Sequence, residues 1–229
     1  MQEWRLRRSL GEEGLCITVN PCEIRFETRI FPSRRRRQQL RDSGIVPRPL
    51  LPVLERVIYE MREFRIAEED ILRAPLEQTP IYMRMKDVSD HRNDLTRSRT
   101  YAQVLGSLRD YGVFRHKNYV IEREDQIVQC IYDCYLEIIL SMEQHGYISG
   151  KESEFATAGM GSVIIDRDGS VLKALAASHR LAAARIAGVQ GGFPLRVIGA
   201  HAEWLDRHGI EGAGFAPRLH KALRLVNRG

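Results

Sequence analysis

The sequence predicts an α/β protein of the mixed α+β kind, and three observations carry that reading. Residues 161–200 alternate extended and helical composition in the order strand, tight turn, strand, helix, turn, strand. Several earlier segments repeat apolar residues at helical spacing, the longest from Ile127 to Met142. Residues 14–31 alternate with a period of two, so extended chain is expected near the start as well. With 229 residues, 43% hydrophobic and 28% charged, the chain can bury a sizeable core as one large or two small domains. The expected division is residues 1–115, a helical and β-hairpin region, and residues 116–229, an α/β core with a C-terminal helix.

Taken in order, residues 14–31 read as a hairpin around Asn20-Pro21, with Ile17, Val19, Ile24, Phe26 and Ile30 on one apolar face. An arginine block follows, formed by Arg34, Arg35, Arg36, Arg37 and Arg41. Pro47, Pro49 and Pro52 lead into a helix expected from the spacing of Val53, Val57, Met61 and Phe64. A short helix is expected over residues 67–73. Residues 81–85 fit either a strand or a helix start, and the highly charged residues 86–100 are expected to form an exposed loop. Tyr101, Val104, Leu105 and Leu108 mark a helix closed by Gly112.

Glu122-Arg123-Glu124-Asp125 opens the long helix with acids in the first turn, where the helix dipole favours them. Ile127, Ile131, Cys134, Tyr135, Ile138, Ile139 and Met142 form its buried stripe, and Gly146 ends it. A polar connector spans residues 151–161. Strands are expected at 162–166 and 170–175 around the Arg167-Asp168-Gly169 turn. A helix then runs to Gly188, and a strand covers 193–198. A helix holding Trp204 and an amphipathic C-terminal segment complete the chain.

Composition narrows the class. The opening Met-Gln-Glu-Trp-Arg-Leu-Arg-Arg is too charged for a signal peptide, and no apolar run approaches ~18 residues. Cys16, Cys22, Cys130 and Cys134 make neither a disulfide framework nor zinc knuckles. A cytoplasmic protein with reduced thiols is expected. The formal charge of +5 favours acidic partners such as a nucleotide or nucleic acid. The Arg34–Arg41 block is the candidate nucleic-acid contact, with a solvated face as the plain alternative, since only Phe31 adjoins it.

The candidate site is the strand-to-helix junction Ala177-Ser178-His179-Arg180. A helix start presents N–H groups without intrahelical acceptors and the positive end of the dipole, which together suit an anion. Ser178 can donate from its hydroxyl, Arg180 can fork onto two phosphate oxygens, and His179 can bind phosphate or carry a proton. The plain alternative is a helix capped by Ser178.

The junction and its surroundings resemble the ParB/sulfiredoxin superfamily over about residues 120–200. Members carry Gly-x-x-Arg or Gly-x-His-Arg here, then an alanine-rich helix. Upstream, Leu136-Glu137-Ile138-Ile139-Leu140-Ser141-Met142-Glu143-Gln144-His145-Gly146-Tyr147-Ile148 resembles the family helix ending in Ser-Ile-x-x-x-Gly. ParB partition proteins have Gly-Glu-Arg-Arg at the junction. Sulfiredoxins have Gly-Gly-Cys-His-Arg, and Ser178 replaces that cysteine, so sulfinic-acid repair is not implied. The family's free serine kinases have Asp-Gly-His-His-Arg, and Ala176 stands at the acidic position.

The resemblance implies a ParB/sulfiredoxin-like core that binds ATP, ADP or another nucleotide with Mg²⁺ and transfers phosphate to a small hydroxyl-bearing molecule. His179 would be catalytic, with Glu122 or Glu124 at the place of the kinases' carboxylate. Asp166, Asp168, Glu152 and Glu154 are further candidates. Two other readings stay open: a ParB-like DNA-associated protein using Arg34, Arg35, Arg36, Arg37 and Arg41, and a non-catalytic nucleotide-binding module, consistent with the acid lost at Ala176.

Overall fold

A computed structural model describes residues 1–11, 13–30, 42, 50, 53, 63–116, 118–148 and 160–226. In chain order the elements are α1 (Glu3–Leu10), β1 (Cys16–Val19), β2 (Phe26–Ile30), β3 (Arg65–Ile66), β4 (Ile71–Pro75), α2 (Pro80–Asp90) and α3 (Arg99–Tyr111). Then come β5 (Phe114–His116), β6 (Tyr119–Ile121), α4 (Ile127–Ile131), a π-helical turn (Tyr132–Leu136) and α5 (Glu137–His145). The C-terminal part holds β7 (Gly161–Ile165), β8 (Val171–Lys173), α6 (Ser178–Ile186), β9 (Phe193–His201), α7 (Ala202–Arg207) and α8 (Phe215–Val226).

Seven strands form one mixed sheet in the order β1-β9-β7-β8-β2-β4, with β3 also parallel to β9. β7 and β9 are parallel, β7 and β8 form the expected antiparallel hairpin, and β8 and β2 are parallel. The sheet therefore interleaves strands from both sides of residue 115. Period-two alternation divides its residues between two faces. Val163, Ile165, Leu195 and Val197 join the large core under the helices, together with Leu181, Ala184, Ile131, Tyr135 and Ile139. Ile164, Leu172, Ala174 and Ile198 face the other way and pack with Ile66 and Ile71. Among the described residues no helix is long and apolar enough to cross a membrane.

The expected hairpin between β1 and β2 does not form. β1 pairs with β9 and β2 pairs with β8 and β4, so the two strands lie far apart in one sheet. The cause is the turn between them. Pro21–Glu23 forms a 3₁₀ turn in which the Asn20 side chain accepts from Cys22 N–H at 3.0 Å. Arg185 Nη1, reaching from α6, donates to the carbonyls of Pro21, Cys22 and Ile24 at 3.2, 2.9 and 2.6 Å. The chain is thereby carried past the end of α6 and delivered to the far side of β8. In addition to β7–β8, β5 and β6 pair antiparallel.

Three further expectations change. Residues 67–73 are a 3₁₀ turn, Glu68–Asp70, leading into β4, because Ile71 can be buried while backbone pairs with β2. Residues 86–100 are not an exposed loop. α2 runs to Asp90, and Asp87 accepts from Arg99 N–H, Thr100 N–H and Thr100 Oγ1 at 3.1, 2.9 and 2.8 Å, fixing the start of α3. Arg92 forks onto Glu143 at 2.9 and 3.0 Å. The charged residues there serve local bonding. Third, Phe64 is fully buried immediately before β3 and Glu63 forms a bridge with Gln2, while the rest of the helix expected from Val53 lies outside the described residues apart from Val53 itself.

The long helix forms with its stripe inward, but with a π turn across Tyr132–Leu136. Cys134, Tyr135 and Leu136 on this turn all face the interior.

Candidate functional site

The head of α6 has an unusual backbone. Ala176 and Ala177 both adopt left-handed conformations, φ 54° and 52°, where an L residue costs about 1–2 kcal/mol each. The neighbouring strand holds this turn in place. Ser162 N–H donates to the Leu175 carbonyl at 2.7 Å, and Ala174 N–H donates to the Ser162 carbonyl at 2.8 Å. Gly161 lies directly beneath: a Cβ there would stand 2.8 Å from Leu195 Cδ2 and 2.9 Å from Ala177 Cβ. The close approach requires glycine.

Ser178 is the first residue of α6, and the cap position falls to Ala177, whose side chain supplies no acceptor. The first-turn N–H groups of Ser178, His179 and Arg180 therefore receive nothing from a capping side chain. Ser178, His179 and Arg180 are all half-buried. The structure brings the predicted quartet Ala177, Ser178, His179 and Arg180 together in this one turn.

Lys173, the last residue of β8, adds a cation that the sequence reading missed. It is 0% exposed, and its Nζ has no hydrogen-bond partner among the described residues. Its register partners are Val163 on β7 and Glu27 on β2, so its side chain leaves the sheet on the face over which α6 begins five residues later. Burial pushes the Lys173 ammonium down to about 8, and the Glu27 carboxylate partly opposes that fall. A buried charge with no partner costs several kcal/mol. The same strand positions make Glu27 the carboxylate set beside this cation.

His179 belongs to an aromatic chain. Its ring stacks on Tyr135 with centroids 5.9 Å apart and planes at 25°. Tyr135 Oη lies 3.0 Å from His116 Nε2 and accepts from Arg84 Nη1 at 3.2 Å, which leaves its own proton for His116. Burial raises the Tyr135 phenol, against the Arg84 bond and charge, so it stays a donor at neutral pH. The π turn presents Tyr135 to both α2 and α6.

The remaining predicted residues lie elsewhere. Glu122 and Glu124 are exposed at the start of the long helix, and Glu124 accepts from Tyr101 Oη at 2.8 Å. Roughly 12 Å of helix separates Ile127 from Tyr135, so neither glutamate is brought to His179. Asp166 is buried on the opposite course. Its carboxylate takes two bonds from Arg73 at 2.6 and 2.7 Å and one from Arg167 N–H at 2.7 Å. Arg73 also forks onto Glu68 at 2.7 and 2.9 Å, and Glu68 accepts from His201 Nε2 at 2.9 Å. His201 Nδ1 in turn accepts from Glu203 N–H at 3.1 Å and caps α7. This closed network is structural. Asp168 accepts from Ser170 N–H at 2.9 Å in the hairpin turn. Arg34, Arg35, Arg36, Arg37, Arg41, Glu152 and Glu154 lie outside the described residues.

No protein-family model, no curated protein and no solved structure matches the chain. The site's geometry therefore stands alone as the guide to its chemistry.

Proposed function

We propose that the chain binds the phosphates of a nucleotide at the head of α6, through a ParB/sulfiredoxin-like junction, and hands a phosphoryl group to a small hydroxyl-bearing acceptor. The supporting observation is Lys173, a fully buried cation with no hydrogen-bond partner among the described residues, beside a helix start that lacks a side-chain cap. An anion seated there satisfies the ammonium and the first-turn N–H groups at once. Arg180 adds a second cation, and His179 a donor held in place by Tyr135.

Transfer forms a bond from the acceptor oxygen to phosphorus and breaks the bond from phosphorus to the bridging oxygen, which leaves with the nucleoside diphosphate. The acceptor's proton passes to a carboxylate, and Glu27 is better placed for that than Glu122 or Glu124. Among the described residues no group of three or more His, Cys, Asp or Glu is placed to hold a metal ion. The donor set fits Mg²⁺ as an ion that arrives on the phosphates, with Glu27 able to add one carboxylate; the ion would neutralise developing charge.

A thermal-shift panel of ATP, ADP, CTP and GTP with Mg²⁺ tests the binding step. A ligand at ~100 times its dissociation constant stabilises by about 2.7 kcal/mol. The expected result is a nucleotide-specific shift that Arg180→Ala and Lys173→Met both abolish. Glu27→Gln keeps the shift but loses phosphoryl transfer, followed as release of the diphosphate. No shift with any nucleotide, or one that neither cation variant alters, overturns the proposal. A shift without transfer to any hydroxyl acceptor leaves a nucleotide-binding module.

A further inference from the structure

A cavity lies beside Tyr135. It encloses about 190 Å³ between α2, α3, α4, β5 and the π turn. Arg84, Gln103, Val104, Phe114, Ile131 and Tyr135 are among its walls. It opens towards a wider hollow of about 470 Å³ that shares Arg84, Thr100 and Gln103 with it. A cavity of about 150 Å³ is enough to hold benzene, so this one takes a body of similar or slightly larger size.

Its charge is specific. Arg84 donates to Tyr135 Oη and lies over that ring at 5.8 Å, but it pairs with no carboxylate among the described residues. The acids of the outer hollow are already engaged. Asp87 is bonded to Arg99 N–H and Thr100, Asp90 pairs with Lys86, and Glu77 pairs with Arg185. One guanidinium fork thus faces a small cavity whose walls join apolar side chains to the polar groups of Thr100, Ser107 and His116. A fork matches the two oxygens of a planar carboxylate, and a single cation suits a monoanion better than a phosphate dianion. Val104, Phe114 and Ile131 suit an apolar body behind it, and the Gln103 amide stands at the mouth.

We propose that this cavity binds a small monocarboxylate with an apolar body, its carboxylate on Arg84. The site uses none of the residues assigned to phosphate and does not rest on that assignment. One ring links the two, since Tyr135 carries Arg84 on this side of the arrangement and His179 at the head of α6.

Benzoate and its neutral isostere benzamide serve as probes, titrated calorimetrically into the full chain. Benzoate is expected to bind at least tenfold more tightly than benzamide, the preference a charge-assisted fork confers. Arg84→Met removes the preference, and Arg84→Lys, which keeps the charge without the fork, retains part of it and covers the case in which the methionine variant does not fold. Ser107→Leu, filling the cavity from α3, weakens both probes. Lys173→Met leaves the preference intact. Equal affinity for the two probes, no saturable benzoate binding at about 10 mM, or a preference that survives Arg84→Met overturns the proposal. Benzoate binding without a nucleotide shift sinks the phosphate reading alone.

Discussion

Replacing Lys173 with methionine should make the protein more stable while removing the phosphate binding proposed above. Methionine matches the length of the lysine stem and carries no charge, so it fills the same space between Val163 and Glu27 without an ammonium to desolvate. The size follows from the titration. The ammonium falls from its ordinary 10.5 to about 8, chiefly through burial. That gap of roughly two and a half pH units is worth about 3 kcal/mol, the most the substitution can return at neutral pH. Because the folded value lies below the unfolded one, the unfolded chain holds the extra proton between about pH 8 and 10.5. Wild-type stability therefore rises with pH across that window, and Lys173→Met lacks the rise. The assay is urea denaturation of both proteins at pH 7 and pH 10. The variant should be the more stable by up to about 3 kcal/mol at pH 7, with the difference closing towards pH 10.5. A variant that is less stable at pH 7, or equally displaced at both values, refutes the account of Lys173 as an unpartnered cation.

Gly161→Ala must displace Leu195 Cδ2 and Ala177 Cβ, contacts of 2.8 and 2.9 Å, and should cost about 1–3 kcal/mol in denaturant melts. An unchanged midpoint would show that the junction tolerates a wider gap from β7. Arg73 hydrogen bonds hold the Glu68 carboxyl down to about 2; for Asp166 burial works to raise the carboxyl, but the Arg73 bonds and charge together with the Arg167 N–H bond bring it below its ordinary value. Folded values below the unfolded ones give stability that is present above the ordinary carboxylate range and lost as pH falls towards 2. Arg73→Ala should cost about 2–3 kcal/mol at pH 7, less than a fully buried pair because Arg73 is partly exposed, and should flatten that acid slope. An acid slope identical to wild type in denaturation from pH 6 to 2.5 would count against the network.

Local chemistry made residues 161–201 readable in advance. Asp168-Gly169 announces a two-strand reversal, Gly188 closes a helix at φ 69°, and both features act within a few residues of themselves. Pairing over distance was not readable. Asn20-Pro21 correctly marks a change of direction, but nothing in residues 14–31 reveals that Arg185 will hold the carbonyls there and send β2 to β8. Ser178 looked like a cap because serine commonly is one. Two consecutive left-handed alanines, a conformation composition does not advertise, moved the helix start by one residue. Lys173 was the hidden part of the site. In Ser170-Val171-Leu172-Lys173 a lysine opposite leucine on an alternating strand reads as solvent-facing, and only the strand order shows that both faces are covered. A lysine in a strand whose neighbours are apolar on both sides was the available signal. Glu27 became visible only through its register with that lysine.

The sheet's wiring sets an order of events for synthesis. β9 borders β7 along one edge, and its other edge is divided between β1, at Phe193–Arg196, and β3, at Ala200 and His201. β1 therefore waits for β9, which follows every other strand of this sheet in chain order, before it has a neighbour. Until then β1 and β3 exist as unpaired ribbon, and β7 has only β8 beside it. Such long-range closure slows folding and lengthens exposure to wrong partners. A nascent chain stalled before Phe193 would hold the head of α6 but not the strand that anchors Gly161 beneath it. The turn at the head of α6 is thus among the last parts of the molecule to acquire its final shape, although most of its residues are made earlier.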